Sequence, residues 1–153
     1  MAHRRARWHA DRVADTASCP EVAAAVTQGR RTAEWLRQLS LARLRAGDGK
    51  VGQESRQLIA AFDALTRELC AEVRRGGVGA DRECPPGDAA LPALADHALG
   101  DQLSVMADQL ERAAGLVRLG DAQSCGHERL IAQAQTLAAA CLALRRSTAL
   151  SLG

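Results

Sequence analysis

Four polar residues in the second half of the chain have the spacing of a candidate metal or acid–base site. His97, Asp101, Ser104 and Asp108 follow one another at intervals of four, three and four. On a helix, this spacing places an imidazole and two carboxylates on one face, where they could bind a metal ion or exchange protons. The apolar residues of the same segment fall on nearly the opposite face. We therefore predict that this polar face lies in solvent and that Asp108 pairs with Arg112, one helical turn away.

The five cysteines supply the other groups that could bind a metal. If successive helices alternate in direction, Cys19, Cys70, Cys84 and Cys141 collect at one end of the protein, and Cys125 lies at the other. Thiolates select zinc or copper(I). A structural zinc site, however, usually contains two cysteines separated by two to four residues, and the chain has no such pair. We therefore favour structural cysteines over a metal site and keep these four as its candidates.

Three short motifs also contain cysteine. Cys125-Gly126-His127 offers two metal ligands near a helix start, and Cys19-Pro20 and Cys84-Pro85 have a dipeptide form seen in some haem-responsive proteins. Motifs this short arise often by chance. The chain contains neither a dinucleotide-binding glycine pattern nor a P-loop pattern, and no catalytic triad can be assigned by spacing. The sequence thus favours a protein that is not an enzyme and predicts no cofactor.

The basic N-terminal end is a candidate for binding nucleic acid. Residues 1–12 carry four arginines and one aspartate, although the whole chain has a net charge of only +2. Arg4, Arg5, Arg7 and Trp8 could contact phosphates and a base. No DNA-reading motif accompanies them. We predict that residues 1–19 form a flexible basic tail.

The apolar residues predict four helices. The clearest pattern spans residues 98–118, where apolar side chains recur at alternating intervals of four and three and so share one helical face. Such a face needs partner helices to cover it. Its members are Leu99, Leu103, Met106, Leu110, Ala113 and Val117. Similar patterns predict helices over residues 20–46, 51–75, 91–119 and 121–146, with a turn at 47–50 and a long loop at 76–90.

These elements predict an all-α fold, an up-down-up-down four-helix bundle over residues 20–150 that follows the basic tail. The similar helix lengths and two short turns favour this order, with consecutive helices as antiparallel neighbours. The long loop would also permit a crossover, or two hairpins exchanged in a dimer. We expect the buried core to include Phe62, Leu65, Leu103, Leu110 and Leu137.

Composition restricts the remaining possibilities. Aromatic residues make up 2% of the chain, so the core must consist of leucine, alanine and valine. No apolar run is long enough to cross a membrane, and the N-terminus lacks the apolar segment of a secretory signal. The odd number of cysteines is atypical of a secreted disulfide framework. We therefore predict a cytoplasmic protein with mostly reduced thiols.

The leading hypothesis for function is a non-enzymatic helical interaction protein, either a homodimer or the partner of another helical protein. Trp35 and Leu39 are its predicted contact surface, because they lie off the apolar face of the first helix and tryptophan is enriched at interface hot spots. One alternative is a bundle that binds a small ligand or metal through cysteines at one end. Another is a nucleic-acid accessory protein that uses the N-terminal arm.

Overall fold

The computed structural model describes residues 19–75, 91–117 and 125–150, and all regular structure within these ranges is helical. This confirms the all-α prediction for the described part of the chain. The elements are α1 (Pro20–Gln38), α2 (Leu41–Arg75), a short 3-10 turn (Asp96–Ala98), α3 (Leu99–Leu116) and α4 (Cys125–Leu150). None of these helices is both long and apolar enough to span a membrane.

The connection between α1 and α2 differs from the predicted helix over residues 20–46. Helix α1 ends at Gln38, and Leu39 has an extended backbone. A short helical stretch follows, and it ends where Gly47, Asp48 and Gly49 have φ of 59°, 59° and 75°. Glycine tolerates this left-handed conformation without strain, and aspartate tolerates it better than most residues. The predicted turn is thus confirmed. It lies inside α2 and separates a short helical stretch, which begins at Leu41, from the long part of that helix.

Leucine and smaller apolar residues make up most of the core that the four helices share. The five residues expected in the core are all at most 4% exposed. The apolar face of α3 is buried from Leu99 to Ala113, and Val117 is half-buried. Leu44, in the short stretch before the break, is 3% exposed and covers one end of this core.

Ion pairs along α1 and α3 show that these helices are antiparallel. Arg37, near the end of α1, pairs with Asp101 at the start of α3 over 2.7 Å. Arg30, two turns earlier in α1, pairs with Asp108 over 2.7 Å. Residue numbers therefore rise along α3 as they fall along α1.

Helices α2 and α3 run in the same direction. Arg56, near the start of the long part of α2, pairs with Asp96, just before α3. Farther along both helices, Phe62 and Ala107 each lie against Gly29 of α1. Both helices therefore start at the same end of the core and run parallel to each other.

Helix α4 runs opposite to α2. Glu68, in the second half of α2, pairs with Arg129 near the start of α4 over 3.1 Å. The two helices line a common groove that extends to Glu54 on α2 and Ser147 on α4. Since α1 is antiparallel to α3, α1 and α4 run one way, and α2 and α3 run the other.

The predicted up-down-up-down order is therefore wrong. Helix α1 packs against α3 and α4, and α2 packs against the same two helices, so the predicted pairs α1 with α2 and α3 with α4 are not principal neighbours. The prediction assumes that a short connection makes the two helices it joins direct neighbours. The eleven residues after Gln38 instead include a helical stretch that covers the end of the core. The end of α2 and the start of α3 lie at opposite ends of the core.

The helices also differ in length, contrary to the prediction. Helix α3 has 18 residues and α4 has 26. Residues 91–95, predicted to begin the third helix, have no regular structure, and α3 begins only after the 3-10 turn. The extended backbone of Ala95 is incompatible with a helix that continues from residue 91 into α3.

Candidate interaction groove

A candidate site in the described part of the chain is an apolar groove between α2 and α4. Its volume is about 690 Å³. It follows α2 from Glu54 to Glu68, which is roughly 21 Å at the helical rise of about 1.5 Å per residue. A single apolar face on each helix, as the sequence pattern predicts, does not reveal this groove.

The floor and walls of the groove have different side chains. Leu58, Leu65, Leu137 and Leu144 lie at the floor and are at most 5% exposed. The other apolar members of the lining are exposed alanines of both helices: Ala61, Ala64, Ala132, Ala140 and Ala143. Because alanine side chains are short, they leave a groove above the buried leucines. The result is an apolar surface that another apolar surface could cover.

Charged groups at one end of the groove link its two helices. The Glu68 carboxylate accepts hydrogen bonds from Arg129 Nη2 at 3.1 Å and from Gln133 Nε2 at 3.3 Å. Glu54, at the other end, pairs with Lys50 of its own helix over 3.7 Å. Both acidic residues of the lining therefore belong to α2, whereas its one basic residue belongs to α4.

The opposite side of the structure is closed because α1 and α3 approach each other closely. A Cβ atom on Gly100 of α3 would lie 2.7 Å from the carbonyl oxygen of Ala33 and 3.2 Å from the backbone nitrogen of Arg37. Only glycine fits this contact without displacing a backbone. Helices α2 and α4 lack a contact of this kind among the described glycines, which agrees with the groove on their side.

The polar face of α3 lies beside α1 and bears arginine pairs. Asp101 pairs with Arg37, while Asp108 pairs with Arg30 of α1 rather than with Arg112 as predicted. Arg30 also pairs with Glu111 over 2.6 Å, and hydrogen bonding to this guanidinium lowers the pKa of the Glu111 carboxyl. These carboxylates are neutralised by arginine, so they do not form a metal or acid–base site with the remaining members of the face.

His97 and Ser104, the remaining members of that face, have different exposures. His97 is exposed in the 3-10 turn, and Ser104 is half-buried on α3. The prediction that Asp101 is exposed is confirmed, because its side chain is 71% exposed.

Asp96 is a structural residue that the sequence did not indicate. Its carboxylate accepts hydrogen bonds from Arg56 and, at 3.4 Å, from Arg45. The pair with Arg56 is the main reason that the pKa of Asp96 is lowered, and the pair with Arg45 adds to it. Asp96 thereby connects the start of α3 to both parts of α2. Only the tertiary structure brings these three residues together.

The described cysteines do not collect at one end. Cys19, Cys70 and Cys141 are buried, but Cys141 forms a side-chain hydrogen bond with Thr32. Thr32 lies thirteen residues along α1 from Cys19, about 20 Å away along the helix axis. The predicted grouping of Cys141 with Cys19 is therefore wrong, because α4 runs in the direction opposite to the one assumed. Burial raises the pKa of the Cys141 thiol to about 11.

No group of three or more potential metal ligands occurs within the described ranges. Cys84, a proposed ligand, lies outside those ranges. In the Cys125-Gly126-His127 motif, Cys125 begins α4 and His127 is 9% exposed. His127 therefore belongs to the buried side of α4.

Trp35 and Leu39, the predicted contact surface, are half-buried against the core. At the helical period, Trp35 lies on the same side of α1 as Gln28 and Thr32. Gln28 accepts a hydrogen bond from Arg145 of α4, and Thr32 bonds to Cys141 of α4. Trp35 therefore lies on the side of α1 that faces α4. The single apolar face assumed for the first helix missed this second neighbour.

The candidate nucleic-acid residues, Arg4, Arg5, Arg7 and Trp8, lie outside the described residues. Comparisons with protein-family models, with curated proteins and with solved structures find no significant match. The groove and the chemistry of its lining are therefore the features that bear on function.

Proposed function

We propose that this chain is a non-enzymatic interaction protein and that it binds a helix of its partner in the α2–α4 groove. The observation that carries this proposal is the leucine floor, which runs for about four helical turns between exposed alanines. Amphipathic helices commonly bind in apolar grooves of this kind. A cytoplasmic location, inferred from the sequence, is part of the same proposal.

The dimensions of the groove favour a helix over a small molecule. Small-molecule sites usually bury 70–90% or more of a ligand's surface. Here the alanines along both walls are themselves exposed, so a compact ligand would remain largely in water. A partner helix of about 14 residues would match the length of about 21 Å, and its apolar face would cover the exposed alanines.

The lining does not favour an enzyme. It contains no histidine or cysteine. The hydroxyls of Thr136 and Ser147 donate hydrogen bonds to carbonyls of α4 itself, at 2.9 and 3.0 Å. A nucleophilic hydroxyl is instead activated by donating its hydrogen bond to a general base. The polar groups of the rim are suited to orienting a partner.

Trp35 and Leu39 remain a second proposed contact surface, since each keeps part of its side chain exposed. The groove is the better candidate because its apolar surface is continuous over several turns. No observation on the described residues favours the two alternatives, a ligand or metal site built from cysteines and a nucleic-acid accessory protein.

Binding of the dye anilinonaphthalene sulfonate tests whether the groove is an accessible apolar site. We expect the folded protein at low concentration to enhance the dye's fluorescence. Ala61→Arg or Ala140→Arg should abolish the enhancement, because each arginine enters the groove. Ala60→Arg and Ala139→Arg are matched controls, since both alanines are exposed but do not line the groove. Equal dye binding by all four variants, or none by the wild type, would contradict the proposal.

A further inference from the structure

The two sides of the groove carry charges of opposite sign. The α2 side carries the acidic residues Glu54 and Glu68, and the α4 side carries Arg129 and no acidic residue. We infer that the occupant is a second copy of this chain, which packs its own α2–α4 face on this one about a two-fold axis parallel to the helices. This inference rests on the proposed function of the groove.

The symmetry of this arrangement follows from the direction of its axis. The axis is parallel to the helices and lies between the two faces. Rotation by 180° about it exchanges the sides on which α2 and α4 lie and leaves the height of each residue, its position along the axis, unchanged. It therefore places α2 of one copy over α4 of the other, with residues of equal height opposite each other. Glu68 then faces Arg129 of the partner subunit, and the reciprocal contact forms at the same height. Each Glu68, which already pairs with Arg129 of its own chain, thereby gains a second arginine of opposite charge, and this supports the arrangement.

The alanines allow the two faces to approach closely. On α2, Gln57, Ala61, Ala64 and Glu68 recur at intervals of four, three and four, which is a second helical face beside the buried one. On α4, a similar face consists of Arg129, Gln133, Thr136, Ala140, Ala143 and Ser147. Small side chains at these spacings permit short distances between helix axes. Because α2 and α4 run in opposite directions, each helix meets its partner antiparallel.

Sedimentation equilibrium tests the dimer itself. We expect the wild type to be a dimer and Ala61→Arg or Ala140→Arg to raise the dimer dissociation constant by about tenfold or more, with unchanged helical circular dichroism. The controls Ala60→Arg and Ala139→Arg should leave the constant unchanged. A monomeric wild type would overturn the inference. So would a dimer that persists in both groove variants, or one that the control variants disrupt equally.

A mixture of two charge reversals tests the register. Glu68→Arg alone places two arginines opposite each other in a homodimer, and Arg129→Glu alone places two glutamates there. A heterodimer of the two variants restores opposite charges at both contacts, although each chain has lost its internal pair. We expect native mass spectrometry of the mixture to show the heterodimer well above the random half. Random or homodimeric association would overturn the inferred axis.

Dye fluorescence measured over a range of protein concentrations distinguishes a failure of the second copy from a failure of the groove as a binding site. If the second copy fills the groove, dye fluorescence per chain should fall as protein concentration rises. Dye binding that is independent of concentration, with a monomeric wild type, would reject the second copy while leaving the groove as a partner site. Failure of the dye to bind at low concentration would instead reject the groove.

Discussion

Gly29 of α1 leaves the space that the ring of Phe62 in α2 fills. A Cβ atom on Gly29 would lie 2.5 Å from Cζ of the ring. Phe62 is the single phenylalanine of the chain and is fully buried. The ring therefore reaches across the core to α1, a helix that is not a principal neighbour of α2.

Gly29→Ala should destabilise the protein even though alanine favours helices. The added methyl must displace a ring that is enclosed by the core, and overpacking of this kind typically costs about 1–3 kcal/mol. Urea unfolding measures the loss. The same substitution in a Phe62→Leu background should cost less, because the smaller side chain makes room for the methyl. An equal cost in both backgrounds would mean that the contact with Phe62 is not the cause.

Gly100→Ala and Gly115→Ala, both in α3, should have opposite effects. The new methyl at residue 100 would meet the backbone of α1, and we expect a loss of about 1–3 kcal/mol in the free energy of unfolding. A methyl at residue 115 would have no neighbour within 4 Å. The intrinsic helix preference should then stabilise the protein by up to about 1 kcal/mol. Similar unfolding midpoints for the two variants would contradict the close packing of α1 and α3.

Asp96→Asn should make the protein less sensitive to acid. The folded-state pKa of Asp96 lies below the ordinary value of 3.8 because Arg56 and Arg45 stabilise the carboxylate. Its contribution is therefore present above the ordinary value and lost as the pH falls through the lower, folded-state value. Thermal unfolding across this range should show a wild-type advantage at neutral pH that shrinks in acid.

Asp101→Asn is the control for the acid experiment. It removes a carboxylate that is 71% exposed, against 20% for Asp96. Because exposed ion pairs contribute little, its effect at neutral pH should be smaller. An effect as large as that of Asp96→Asn would show that exposure does not determine the strength of these pairs.

Cys141→Ala should reduce the loss of stability at high pH. Burial raises the folded-state pKa of the thiol from 9.0 to about 11. Below pH 9 the thiol is neutral in both states, and its contribution is intact. Between pH 9 and about 11 it ionises preferentially in the unfolded state, which favours unfolding. Chemical unfolding at a series of alkaline pH values should therefore show a steeper decline for the wild type than for Cys141→Ala.

Trp35→Ala tests whether the Trp35 side chain only packs against the core or also forms a contact surface with another chain. The indole is half-buried against the core, so its removal should cost about 1–3 kcal/mol, less than for a fully buried tryptophan. If the dimer uses the groove, sedimentation equilibrium should show an unchanged mass. A smaller species that keeps its helical circular dichroism would instead place the contact at Trp35 and Leu39.

The sequence by itself determined the buried apolar face of α3. A helix has one period, so the spacing of Leu99, Leu103 and Leu110 predicted the buried face of α3 from local geometry alone. The break at residues 47–49 followed from two glycines and an aspartate, which tolerate left-handed backbone. These properties depend on residues within a few turns of one another.

Only the tertiary structure decided how the helices are arranged and where the groove lies. An apolar face shows that a helix needs a partner, but it does not show which helix that partner is. Here the close fit of Gly100 to α1 and the reach of Phe62 to Gly29 accompany a packing order that differs from the order along the chain. The groove exists because the paired helices α2 and α4 carry alanines where larger side chains would close it, a property of two distant segments brought side by side.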